Sequence, residues 1–139
     1  MELTHTINNQ HMVKGLNRVM RLSWQNQGRC EQVLDKIQDR QLRQMLHELI
    51  KAHQQHIELL QDATRYLGGA PCQLSTGQLK MMPWPQHLAG FRIRRAERRL
   101  IDLCSQEIVF LTGGHEVTRQ LNRVKDDITA CLDMTSSEP

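Results

Sequence analysis

The chain has 139 residues and a formal charge of +3, a length that suits one domain with a real core and a charge too small to imply a nucleic-acid partner by itself. Aromatic residues are only 4% of it, and its bulky apolar residues are mostly Leu, Met, Ile and Val. With abundant Gln, Arg and Glu, that mix favours helices over sheet.

No apolar run approaches the roughly 18 residues of a membrane span. The polar stretch from Met1 to Gln10 lacks the basic-then-apolar form of a signal peptide, so the cytoplasm is the expected compartment.

The first predicted helix covers about residues 5–37, with Thr4 or Thr6 available to cap it. Its stripe reads Val13, Leu16, Met20, Ser23, Gln27, Cys30, Leu34, Ile37. Ser23 and Gln27 stand where Leu would be expected, and Trp24 flanks them. Gly15 and Gly28 each weaken a helix interior by about 1 kcal/mol relative to Ala. Asp39 is a good N-cap for a second helix over about residues 40–67, so the first two helices form an antiparallel hairpin.

The second helix carries Leu42, Leu46, Leu49, Leu60, Ala63 and Leu67 at the spacing of a buried face. In mid-stripe that face holds His53 and His56, three residues apart and on one side. Gly68-Gly69-Ala70-Pro71 is a glycine stop with a proline shortly beyond.

Residues 68–86 keep no sustained period. Gly68, Gly69, Pro71, Gly77, Pro83 and Pro85 interrupt them, and Thr76 to Met82 has room for a short helical turn. A loop this long needs a reason. Roughly 19 extended residues cover about 60 Å, more than the ~42 Å of a 28-residue helix. The segment can therefore return along the whole bundle.

The third helix covers about residues 87–111, with Phe91 or Ile93, then Ala96, Leu100, Leu103, Glu107 and Phe110 inward. Thr112-Gly113-Gly114 ends it. The fourth covers about 115–132, with Val117, Leu121, Val124, Ile128 and Cys131 inward and Asp127 beside them. Thr135 to Pro139 forms a small polar tail. Hairpin, long crossover and hairpin together give an all-α four-helix bundle of ferritin-like topology, in one domain over 1–139.

His53-Gln-Gln-His56, followed by an apolar helix ending Leu67-Gly68-Gly69-Ala70-Pro71, resembles the second helix of small bacterial ferritin-like proteins. There an acidic residue and a histidine three later precede Leu-Gly-Gly-x-Pro. The likeness runs from the first helix through Pro71, extends more weakly over the last two helices, and looks closest to uncharacterised stress-type members. Those proteins imply a Glu on the first helix, Glu-x-x-His on the second, Glu on the third and Glu-x-x-His on the fourth. Here Gln27 matches the first position, His53 replaces the Glu beside His56, and Glu107 matches the third helix. Asp127 is the acidic candidate on the fourth; Asn122 and Lys125 are poor substitutes. A standard di-iron centre is therefore expected to be degenerate.

Two readings of the mid-stripe residues stand side by side. His53, His56 and Glu107, with Asp127 or Gln27 as a further ligand, can hold one iron or zinc. Alternatively Gln27, His53, His56 and Glu107 form a buried hydrogen-bonded network. An imidazole beside Glu107 would take a proton more readily and make the bundle pH-sensitive.

Arg92, Arg94, Arg95, Arg98 and Arg99 fall within eight residues, near the positive end of the third helix dipole, where cations are mildly unfavourable. They form either a solvated face partly paired with Glu97 or a docking surface for phosphate or an acidic protein. Nucleic acid is disfavoured, because interleaved aromatics and any groove-reading motif are missing.

Cys30, Cys72, Cys104 and Cys131 are scattered without a CxxC pair, so a zinc knuckle or thioredoxin-type site has no support. Cys30, Cys104 and Cys131 read as small buried hydrophobes and Cys72 as the reactive candidate. His5, His11, His47, His87 and His115 share no spacing, and no Ser-His-Asp, P-loop or GxGxxG pattern is present.

The favoured function is a non-enzymatic binding or assembly protein, stress-related by resemblance, without a cofactor and acting through helix faces and the arginine cluster. The alternative is a metal-binding or redox protein, and the third a Dps-like nucleic-acid-associated one. A dimer or larger homo-oligomer is expected, with Trp24, Trp84 and Met81-Met82 as apolar surface.

Overall fold

The computed structural model describes residues 2–74, 85–110 and 115–134. They form four helices: α1 Glu2–Leu34, α2 Arg40–Tyr66, α3 Gln86–Phe110 and α4 His115–Asp133. The fold is an all-α four-helix bundle in which α1 pairs with α2 and α3 with α4, while α1·α3 and α2·α4 complete the ring. None of the described helices is long and apolar enough to cross a membrane. Trp84, Met81-Met82, the turn expected within Thr76 to Met82, Thr112-Gly113-Gly114 and the tail from Thr135 lie outside the described residues.

Local chemistry sets the helix ends. α1 stops at Leu34, three residues short of the expected 37. There the Arg43 guanidinium, from the first turn of α2, donates to the carbonyls of Leu34 at 2.7 Å and Ile37 at 2.8 Å. It thereby satisfies carbonyls that a helix terminus leaves unpaired. Asp39 caps α2 as expected, its Oδ2 accepting from the Leu42 N–H at 3.3 Å.

At the other end of α2, the Gly69 N–H reaches Thr64 O at 3.0 Å and the Gly68 N–H reaches Arg65 O at 2.9 Å. That is the paired closure of a left-handed cap, and Gly68 has the φ of +82° it needs. Gly69 lies against α1, where an added Cβ would come within 2.6 Å of the Val13 side chain.

Fully buried Leu16, Met20, Met45, Leu46, Leu49, Leu60, Leu100, Leu121 and Ile128 fill the centre, each contributing roughly 2 kcal/mol of burial. Cys30, Cys104 and Cys131 are buried with them, as expected. On α3 the inward line is Ala89, Ile93, Ala96, Glu97, Leu100, Cys104 and Glu107. Of Phe91 or Ile93, expected to start the line, Ile93 is the buried one and Phe91 is 62% exposed; Phe110, expected inside, is 79% exposed. Phe91 lies on the opposite side of the helix from Ala89 and Ile93, which join the core. Leu42 packs near Gly90, about 3.5 Å from where a Cβ would stand.

Contacts fix the helix directions. Arg18 of α1 meets Glu107 near the end of α3, and Asn26 meets Ala96, so α1 and α3 are antiparallel. His56 meets Asp127, and Arg94 meets Leu132, so α4 opposes both α2 and α3. Thus α2 and α3 begin at the same end, and the chain between them joins opposite ends. Its described start follows α1: Asn17 Nδ2 donates to Ala70 O at 3.2 Å, and the Cys72 N–H donates to Asn17 Oδ1 at 2.8 Å.

Candidate functional site

The polar residues of the core divide into separate clusters. The central one crosses the bundle from α1 through α2 to α3. Ser23 Oγ lies 2.7 Å from His53 Nδ1, and His53 Nε2 lies 2.8 Å from Glu97 Oε1. Ser23, His53 and Glu97 are all 0% exposed. Cys30 Sγ adds a weak donor to the same Glu97 oxygen at 3.8 Å.

The Glu97 carboxylate accepts from His53 Nε2, and the Ser23 hydroxyl, able to donate or accept, pairs with His53 Nδ1. Burial, reinforced by Glu97, pushes the Cys30 thiol well above its ordinary range. It therefore stays a donor. Hydroxyl, imidazole and carboxylate stand in the order of a nucleophile, base and orienting acid. Sealed from solvent, they cannot meet a substrate. What this chain can do is hold three helices in one register through charge-assisted hydrogen bonds.

His56 belongs to a different pair. Its Nε2 lies 2.7 Å from Asp127 Oδ2 on α4, and Arg123 Nε stands 3.8 Å from the same oxygen. His56 is 1% exposed, whereas the Asp127 side chain is 42% exposed. Burial lowers the His56 pKa from its ordinary value; the hydrogen bond and charge of Asp127 oppose that, and His53 and Arg123 add to it.

Glu107 is held by neither histidine. Arg18 grips it in a fork, Nε to Oε1 at 2.8 Å and Nη2 to Oε2 at 3.1 Å. Gly15 makes the room: a Cβ there would lie 2.5 Å from Glu107 Oε2. The expectation that Glu107 would draw a proton onto an imidazole is corrected by this pairing. Gln27 donates to Glu31 at 3.1 Å, within α1.

The residues expected as metal ligands are thus not brought to one point. His53 meets Glu97, His56 meets Asp127, and Glu107 sits about 15 Å farther along α3 than Glu97. Among the described residues no group of three or more His, Cys, Asp or Glu side chains can hold a metal ion. Nor do Gln27, His53, His56 and Glu107 share one set of hydrogen bonds. Gln27 Oε1, His56 Nδ1 and Glu97 Oε2 are buried with no hydrogen-bond partner.

Glu97 was expected on the surface, pairing with arginines, and it is buried against His53. The signal was present: Glu97 follows Ile93 by four residues and precedes Leu100 by three. Five neighbouring arginines masked it.

With Glu97 inside, the acid left on this outer surface of α3 is Asp102, three and four residues beyond Arg99 and Arg98. Arg92, Arg95, Arg98 and Arg99 are exposed. Arg94 turns away: it is half-buried and donates to Leu132 O at 2.9 Å, capping the end of α4. Burial and the nearby Arg98 both lower its pKa from the ordinary value. Cys72 is half-buried, with its thiol 3.7 Å from Asn17 O and its pKa raised by burial. Trp24 is half-buried against the core. No protein-family model, curated protein or solved structure matches the chain.

Proposed function

We propose that this chain is a non-enzymatic binding or assembly protein whose buried polar residues are structural and whose working surface is the outer face of α3. One observation carries the reading. Glu97 is withdrawn into the core against His53, so Arg95, Arg98 and Arg99 face outward while the carboxylate between them in sequence points inward. Like charges gathered on the first half of a helix oppose its dipole, and an anionic partner would relieve both strains. The occupation of His53, His56 and Glu107 by protein partners points the same way. In this reading the bundle has the ferritin-like arrangement, supported by parallel α2 and α3 joined across the bundle's length. The stress association stands on the resemblance of His53–Pro71 alone.

The test is an Arg95→Glu, Arg99→Glu variant. Wild type immobilised at low ionic strength should retain a polyanion, with heparin as the first probe, and release it as salt rises. The variant should lose retention while keeping its melting temperature. Equal retention by both proteins would refute the proposal.

A further inference from the structure

The outer face of α3 carries more than charge. Leu88, Phe91, Arg95, Arg98, Asp102 and Val109 follow one another at steps of three, four, three, four and seven residues. That is the spacing of a helix-packing seam, and it lies on the side opposite the buried line. Leu88 is 37%, Phe91 62% and Val109 76% exposed. The two arginines and the aspartate are exposed too. The seam is apolar at both ends and basic in the middle, and aromatic residues with arginine are the types that anchor protein interfaces.

We infer that this seam docks an acidic amphipathic helix of another protein, lying along α3 with its carboxylates over Arg95 and Arg98 and its apolar residues over Leu88, Phe91 and Val109. The inference rests on the proposed binding role and names the partner's chemistry.

Three arguments select that occupant. A helix repeats its side chains with the same rise as α3, so carboxylates at three- and four-residue spacing meet these arginines one for one. Apolar ends match a polypeptide, whereas a phosphate backbone offers them nothing. A second copy fits poorly. Antiparallel pairing would set Leu88 against Val109 and Arg95 against Asp102, but it crowds Arg98 and Arg99 of both copies around the axis.

The experiment uses the full-length protein and a designed helical peptide of about 22 residues, the span from Leu88 to Val109. The peptide carries Glu and Leu in the complementary pattern. A peptide of the same composition with its period scrambled is one control, and a single-stranded oligonucleotide of about 20 nucleotides is the other. Fluorescence anisotropy reads binding, and light scattering reads the mass of the protein alone.

The patterned peptide should bind at least about tenfold tighter than the scrambled one. Arg95→Glu, Arg98→Glu should abolish that binding, and Phe91→Ala should weaken it several-fold with the melting temperature unchanged. Equal binding of the two peptides would overturn the inference. Tighter, Arg95-dependent binding of the oligonucleotide would overturn it and leave the binding role standing. A dimer broken by Phe91→Ala would overturn it in favour of a second copy. Binding of every anion unchanged by the arginine variants would overturn both readings.

Discussion

His53 Nε2 stands 2.8 Å from Glu97 Oε1, and neither residue is exposed to solvent. The pair ties α2 to α3 across the diagonal of the bundle, and Ser23 extends it to α1. A buried pair of this kind is costly to break and cheap to replace. Glu97→Ala leaves an imidazole N–H without an acceptor and should destabilise the protein by about 3 kcal/mol. His53→Leu with Glu97→Leu should cost less than either single change. Urea unfolding of His53→Leu, Glu97→Leu and the double variant gives the coupling directly.

Gly15 and Glu107 form a second coupled pair. A Cβ at Gly15 would sit 2.5 Å from Glu107 Oε2, so Gly15→Ala must displace the carboxylate that Arg18 grips. The loss opposes the gain of about 1 kcal/mol that Ala brings to a helix interior. Gly15→Ala alone should be neutral or destabilising. In a Glu107→Ala background it should stabilise by about 0.5–1 kcal/mol, measured as a shift in urea midpoint.

His56 makes stability depend on pH. Burial lowers its folded pKa below the ordinary 6.5, so in the window between the two values the unfolded chain holds a proton that the folded chain does not. Its contribution is fully present above about pH 6.5 and is lost as pH falls from there to the folded value. Asp127, Arg123 and His53 are the charged or titratable groups acting on it. Urea midpoints taken from pH 7.5 down to 5 should fall for wild type. His56→Gln, which keeps a donor for Asp127, should flatten that part of the profile.

The cysteines should differ in reactivity. Burial lifts the Cys104 thiol to about 12 and the Cys131 thiol to about 11, and Cys30 also lies well above its ordinary value. Cys72 is raised as well but is only half-buried. Iodoacetamide at pH 8 should label the native protein slowly, at Cys72 first. The other three should follow only in denaturant, which mass spectrometry of timed samples would show.

Much of the fold was legible because helix signals are local. Asp39, the Leu67–Pro71 stop and the leucine spacing of α2 mark their elements within a few residues. The inward lines of α2 and α4 follow the expected period. α3 was harder at its two ends: spacing left Phe91 or Ile93 open, of which Ile93 is buried, and Phe110 is large and apolar yet lies outside. A stripe read by side-chain size follows the wrong edge of such a helix.

The site was less legible than the fold. Spacing placed His53, His56 and Asp127 near the core, but it could not assign partners across helices. Whether His53 meets Glu97 or Glu107 depends on the axial register of α2 against α3, and that register is set by tertiary packing. Arg94 shows the same limit: among five arginines, only the position of the α4 terminus turns this one inward.

The most direct test of the account is metal titration by calorimetry, with Zn(II) and, anaerobically, Fe(II), on protein purified without chelator. If the core histidines and carboxylates are committed to one another as structure, neither ion should bind tightly at fixed stoichiometry. Tight stoichiometric uptake that disappears in the His53→Ala, His56→Ala variant would contradict the account and make the centre of the bundle a metal site.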